Sequence, residues 1–190
     1  MQQKIKDICD FISDVCIMIG VVLLLQQYVF SVGQVFGKSM EPNLTESQKL
    51  IVDRVTYRFA EPHRFDIVAV KFPDADSYWV KRVIGLPGEK VEYIQGKLYI
   101  NGEMIEESFL KNNVFTKDFS TISFFPNSNG IIPDDNYLVL GDNRNNSMDG
   151  RIMGTLSKKD ILGVARISIY PFDKIGFLTD EISKKGLFYE

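Results

Sequence analysis

The feature that most constrains this chain is a change of period near position 30. Residues 11–30 read "FISDVCIMIGVVLLLQQYVF", an almost unbroken apolar run, whereas beyond it apolar and polar residues alternate over short segments. A helix of twenty residues covers about 30 Å, the thickness of a hydrocarbon core. Asp14 near one end and Gln26 and Gln27 near the other fall toward the two interfaces, with Phe11, Tyr28 and Phe30 as aromatic anchors. We read the run as a transmembrane helix. Two other readings compete: the apolar region of a secretory signal with a cleavage site at Ser31-Val32-Gly33, and a buried core helix, since the continuous centre, 15–25, falls short of 18 apolar residues. Against cleavage, Lys4 and Lys6 are offset by Asp7 and Asp10, so the leading segment lacks a positive excess. Orientation is not readable, because Lys38 and Lys49 on the far side match Lys4 and Lys6.

After the run, "KLIVDRV", "FDIVAVKF", "SYWVKRVIG", "EKVEYI", "GKLYING", "NYLVLGD" and "GVARISIYPF" are short, β-branched and aromatic, and bounded by Gly, Pro, Asn or Asp. They predict strands. Gln95-Gly96 and Asn101-Gly102 are hairpin turn signals. The expected fold is mainly β, an antiparallel sheet or barrel-like domain over 31–190 behind an N-terminal segment over 1–30 that carries one transmembrane helix. Residues 112–136 break the alternation and are expected to form an insertion or long loop.

A nucleic-acid partner is not expected: the 22 basic residues are scattered among 25 acidic ones, with net charge −3 and no basic block. Cys9 and Cys16 both lie in the N-terminal segment, and no metal-ligand spacing occurs, so neither a metal nor another cofactor is suggested. The only histidine, His63, sits in the polar turn "AEPHRF" and reads as surface decoration. A serine nucleophile would therefore need a different base.

Three segments can carry chemistry. Ser39 stands in "GKSMEP", where a plain turn role competes with a nucleophilic one. Lys81 lies in "SYWVKRVIG"; alternation puts Trp79, Lys81 and Val83 on one face and Val80, Arg82 and Ile84 on the other. Burial of that face would disfavour the ammonium and bring Lys81 toward the range of a general base, while a snorkelling lysine at a sheet edge is the plainer reading. The third segment, "GDNRNNSMDGR", packs Asp142, Arg144, Ser147, Asp149 and Arg151 after a strand; it is either a charged turn or support for a site.

In this order and spacing, "SMEP" behind a membrane segment, "KRVIGLPGE" and "GDNRNNSMDGR" closely resemble the type I signal peptidases, membrane-bound serine proteases that remove signal peptides from exported preproteins. "EYIQGKLYING" is similar to that family's hairpin between the second and third segments. The resemblance implies Ser39 as nucleophile, Lys81 as general base, Ser147 as the residue that hydrogen-bonds the lysine, Asp142 as partner of Arg82, and Asp149 as partner of Arg151. It also implies cleavage after small-X-small sites such as Ala-X-Ala and a catalytic domain outside the cytoplasm, on a single-pass anchor in the cell membrane. The partners are then preprotein signal peptides and membrane lipid; oligomeric state is not readable. Three positions depart from the family's pattern: Asn43 replaces a usual Thr, Gly150 a usual Ser, and Gly37 stands where some members carry a Ser that helps to bind the oxyanion. The oxyanion donors are thus expected to be mostly backbone N–H groups, including that of Ser39. Val35, Phe36, Gly37, Met40, Trp79 and Val80 are the expected substrate-binding residues.

The readings that compete are a self-cleaving Ser-Lys peptidase and a non-catalytic anchored β-domain. The first cuts its own Ala-Gly or Cys-Gly bond, and neither dipeptide occurs here. Retention of Ser39, Lys81 and Ser147 together disfavours the second.

Overall fold

The computed structural model describes residues 2–73, 77–110 and 114–178, without the side chains of residues 2, 3 and 25–27. Helix α1 runs over Gln2–Tyr28 and passes at once into strand β1, Phe30–Gln34. The strands that follow are β2 (Lys49–Asp53), β3 (Ile67–Val70), β4 (Trp79–Gly85), β5 (Val91–Ile94), β6 (Lys97–Ile100), β7 (Glu103–Ile105), β8 (Phe119–Ser120), β9 (Asn136–Leu140), β10 (Leu156–Ser157), β11 (Ile161–Tyr170) and β12 (Gly176–Phe177). Two short helices, α2 (Thr56–Phe59) and α3 (Gly150–Met153), lie in the connections. All seven segments read as strands in the sequence are strands. The fold is mainly antiparallel β, as expected.

One sheet has the order β1-β2-β11-β3-β4-β9-β10, with β12 added to β11; the other has the order β7-β6-β5-β8. Alternation explains why the large sheet is buried on both faces. In β3, Val68 and Val70 enter one cluster with Val83, Tyr137 and Val139, while Ile67 and Ala69 enter another with Val35, Met40 and Leu50. In β9 the odd residues join the first cluster and Leu138 and Leu140 join a third, shared with Tyr93 and Leu98 of the smaller sheet. Each fully buried aliphatic side chain contributes roughly 1.5–3 kcal/mol.

The two hairpin turns adopt the left-handed backbone that their sequences favour: Gln95 and Gly96 have φ of 51° and 80°, Asn101 and Gly102 of 53° and 87°. Of the 112–136 connection, residues 112 and 113 lie outside the described residues. The rest supplies β8, which pairs with β5, and buries Thr121 and Ile132.

Among the described residues, no helix is long and apolar enough to cross a membrane. The span read in the sequence includes residues 25–27, whose side chains lie outside the described set. The described part of α1 does not fit the buried-core reading: Ile17, Leu23 and Leu24 are exposed.

Gly163 is where the β11 backbone crosses closest to β2. A Cβ there would sit 2.1 Å from the Asp53 carbonyl oxygen, a backbone atom that cannot rotate away. Gly163→Ala is expected to destabilise the protein by about 1–3 kcal/mol, read as a lower denaturation midpoint at unchanged denaturant slope.

Candidate active site

The loop that carries Ser39 and strand β4 meet at an open cleft of about 230 Å³, lined among others by Phe36, Gly37, Ser39, Trp79, Val80 and Lys81. The neighbouring β3 pairs with β4 in register, placing Val68 opposite Lys81 and Val70 opposite Trp79. Lys81 is thus paired to β3, while the pairing of β4 with β9 begins only at Arg82, and the lysine is 2% exposed. Its Nζ donates a hydrogen bond to Ser39 Oγ at 2.6 Å and lies 5.5 Å from the centre of the Trp79 ring.

Burial pushes the Lys81 ammonium down from 10.5 to about 8, against the opposing pull of the Asp149 and Asp142 carboxylates. Both carboxylates are already engaged. Asp142, fully buried, accepts from Arg82 Nε at 2.9 Å and Nη2 at 2.8 Å. Asp149 accepts from Arg151 Nε at 2.9 Å and Nη2 at 2.8 Å and from the Gly141 N–H at 3.0 Å. Burial raises the Asp149 carboxyl, but Arg151, the Gly141 N–H and nearby Ser147 outweigh it and hold it below its ordinary value. Neither aspartate forms a salt bridge with Lys81.

Ser147 does not make the hydrogen bond to Lys81 that the resemblance implies. Its hydroxyl is buried without a hydrogen-bond partner, near Asp149 yet outside bonding geometry, while the Lys81 ammonium turns to Ser39. Two expected substrate-wall residues are also placed elsewhere. Val35 and Met40 are 2% and 1% exposed and pack with Leu44 and Leu50 beneath the cleft. Neighbours in an extended chain face opposite ways, so Phe36, which lines the cleft, turns Val35 into the core. Met40 follows Ser39 in a turn and points under it. Gly37 has φ of +72°, a backbone that favours glycine, and its N–H points to Glu46 Oε1 at 3.4 Å.

Residues the sequence reading did not single out complete the site. Asn143 donates from its backbone to the Ser39 carbonyl at 2.9 Å and from Nδ2 to the Lys38 carbonyl at 3.0 Å. Asn43, which looked like an ordinary turn residue, donates to Asp142 Oδ2 at 2.8 Å and to the Phe109 carbonyl at 2.9 Å. Tyr78 and Met148 add cleft wall. Only the presence of three asparagines in the third segment hinted at such roles, and nothing local distinguishes Asn143 from Asn145 or Asn146.

A serine hydroxyl held by a buried lysine in an open cleft of an antiparallel sheet is the arrangement of a Ser–Lys hydrolase. The sequence model of the family described as "Signal peptidase, peptidase S26" matches residues 8–170. Signal peptidase I P of Bacillus subtilis subsp. natto is 35% identical over 176 residues, covering 92% of this chain and 95% of its own. Signal peptidase I V of Bacillus subtilis is 41% identical over 155 residues (77% and 90%), and signal peptidase IB of Staphylococcus aureus 33% over 178 residues (89% and 93%). The chain belongs to the signal peptidase S26 family.

Gly141 is the tightest point of the site. A Cβ there would lie 2.2 Å from Ser147 Oγ and 2.5 Å from the Ser39 carbonyl oxygen. Gly141→Ala is expected to displace the Ser39 loop and lower kcat/KM at least a hundredfold, in line with the cost of misplacing a catalytic group by about 1 Å, as measured on a signal-peptide substrate.

Proposed function

We propose that this protein is a membrane-anchored endopeptidase that removes signal peptides through an acyl-enzyme formed on Ser39, with Lys81 as general base. Family membership supports signal-peptide removal, and one observation carries the mechanism: the Lys81 Nζ to Ser39 Oγ contact of 2.6 Å, made by a lysine only 2% exposed. At pH 7 a lysine with pKa near 8 is neutral in about one molecule in eleven, against roughly one in three thousand at 10.5. Neutral Lys81 takes the Ser39 proton as Oγ attacks the scissile carbonyl, and the ammonium returns it to the leaving amine. Lys81 then deprotonates the water that releases the acyl group. The Ser39 N–H, which has no hydrogen-bond partner among the described residues, is the natural donor to the oxyanion.

The substrate lies extended between the segment 34–37 and the segment 78–80, the two walls of the cleft. A cleft of about 230 Å³ accommodates small side chains, which supports specificity for Ala-X-Ala-like sites. Helix α1 is the anchor: the apolar side chains of Ile17, Leu23 and Leu24 are left uncovered by the β-domain. Nine positions separate Phe30 from Ser39, at most about 30 Å of chain, so the nucleophile stays near the extracytoplasmic membrane face.

Ser39→Ala in the full-length protein is expected to abolish cleavage of a preprotein with an Ala-X-Ala site without loss of folding. Processing by the alanine variant at near the wild-type rate would rule out Ser39 as the nucleophile. The acidic limb of kcat/KM should rise through pH 8 as Lys81 loses its proton.

Stability should also rise with pH, over a range above that limb. The Lys81 pKa is depressed in the folded state, so the penalty for burying its charge is complete below pH 8, fades as pH rises from 8 to 10.5, and is absent above that. Lys81→Met, which cannot charge, is expected to be inactive yet about 3 kcal/mol more stable than wild type at pH 7. That gap in unfolding free energy should close as pH rises past 10.

A further inference from the structure

A second, larger concavity shares no lining residue with the cleft that holds Ser39 and Lys81. This open pocket of about 650 Å³ is lined by Arg54, Arg58, Lys158 and Lys159, with Asp135 as its one carboxylate. On a chain of net charge −3, such a concentration of cations is unusual. Lys158 is paired with Glu61, whereas neither the Arg58 nor the Lys159 side chain has an ion-pair or hydrogen-bond partner among the described residues. Arg58 is followed by Phe59, which is 87% exposed.

Strand register locates the wall of the pocket that carries Arg54 and Arg58. Phe30, the first residue after the helix and its turn, is opposite Asp53, and Asp53 is opposite Val164. Ile161 is in turn opposite Val70, which is opposite Trp79. The start of β1, the end of β2, the start of β11, the end of β3 and the start of β4 therefore form one end of the sheet, the end at which α1 enters. Arg54 is fastened there directly, its backbone N–H donating to the Val29 carbonyl at 2.9 Å. The 157–162 segment leaves β10 beside the start of β9, where Ser157 is opposite Asn136, and crosses to the start of β11 at the α1 end, so that Lys159 lies on the crossing.

We propose that this pocket binds the phosphate of an anionic phospholipid headgroup, with Arg58 and Lys159 as the principal cations and Phe59 inserted beside the lipid. The proposal rests on the reading of α1 as a membrane anchor, because only then does the α1 end of the sheet lie at headgroup level. Cations that have no protein counter-charge at that level gain a partner of opposite sign from an anionic leaflet, and an exposed aromatic beside them is the composition of an interfacial contact. The chemistry recognised is a phosphate monoanion in an amphiphile; a free phosphate offers the same charge without the acyl chains that Phe59 would meet.

The test uses the full-length protein in dodecylmaltoside, with native mass spectrometry counting retained phosphatidylglycerol, phosphatidylcholine or inorganic phosphate. Wild type is expected to retain phosphatidylglycerol at least fivefold more than the Arg58→Gln/Lys159→Gln double variant, to retain little phosphatidylcholine, and to keep its lipid in the presence of millimolar phosphate. Both substituted positions are exposed, so folding should be unaffected; circular dichroism and basal signal-peptide cleavage in detergent check this. Equal retention by wild type and variant, equal retention of the two lipids, or displacement by inorganic phosphate would each overturn the proposal. Carbonate extraction of cell membranes tests the anchor separately. Release of the wild-type chain would refute the anchor whatever the pocket binds, and lipid loss confined to the double variant would establish the pocket on its own terms.

Discussion

The contact between Lys81 and Ser39 requires that a lysine be buried without a full counter-charge, and much of the surrounding structure follows from that requirement. A carboxylate in direct contact would hold the ammonium protonated, which the proposed role of Lys81 as a base excludes. Yet Asp142 and Asp149 both lie close enough to raise the Lys81 pKa, and both are buried. Arginines resolve the conflict. Each aspartate receives a two-pronged guanidinium, Arg82 on one and Arg151 on the other, and Arg151 itself acts to lower the lysine's pKa. Lysines in place of these arginines would bring one donor each, could be neutralised by burial, and would leave a carboxylate oxygen open toward Lys81.

The same economy of charge joins the small sheet to the site. Arg144, 4% exposed, donates to the Gly141 carbonyl, to the Tyr93 hydroxyl of β5, to Thr116 and to Glu107. Phe109 stacks over Arg82 with the guanidinium carbon 4.0 Å from its ring centre, and its carbonyl accepts from Asn43. The loop behind Ser39 is therefore tied to the second sheet by directional bonds. Apolar packing alone would permit sliding of a few tenths of an ångström, a freedom that a 2.6 Å hydrogen bond does not tolerate.

What the sequence made legible follows from the range of the interactions concerned. Apart from β1, strands of four residues or more announced themselves by alternation, and the two hairpin turns by residues that tolerate positive φ. β7, β8, β10 and β12 span two or three residues, too few to display a period. β1 was hidden because its Phe30 closes the apolar run. Within the candidate site, Ser39 and Lys81 could be singled out because a short motif surrounds each. Asn143 and Asn43 were not, since their side chains bond to partners 105 and 99 positions away. Val35 and Met40 were misplaced for the opposite reason: nearness to the nucleophile in sequence says nothing about which face of the chain a side chain takes.

Gly37 raises the question of how an oxyanion donor is aimed when no hydroxyl stands at that position. The peptide plane between Lys38 and Ser39 answers it. The Lys38 carbonyl accepts from the Glu41 N–H at 3.1 Å and from Asn143 Nδ2 at 3.0 Å. In a trans peptide the carbonyl and the following N–H point in opposite directions, and rotating one rotates the other. Fixing the Lys38 oxygen from the loop side therefore fixes the Ser39 N–H on the reverse side of the plane, without a partner among the described residues and on the residue that carries the proposed nucleophile. Electrostatic stabilisation of this kind gains from donors that need no reorientation as charge develops. A side-chain hydroxyl would have to be held in one of several rotamers, whereas this N–H is held by the loop's own backbone bonds and one asparagine. The glycine at position 37, free to adopt φ of +72°, lets the chain enter that loop from β1 without a side chain in the substrate's way.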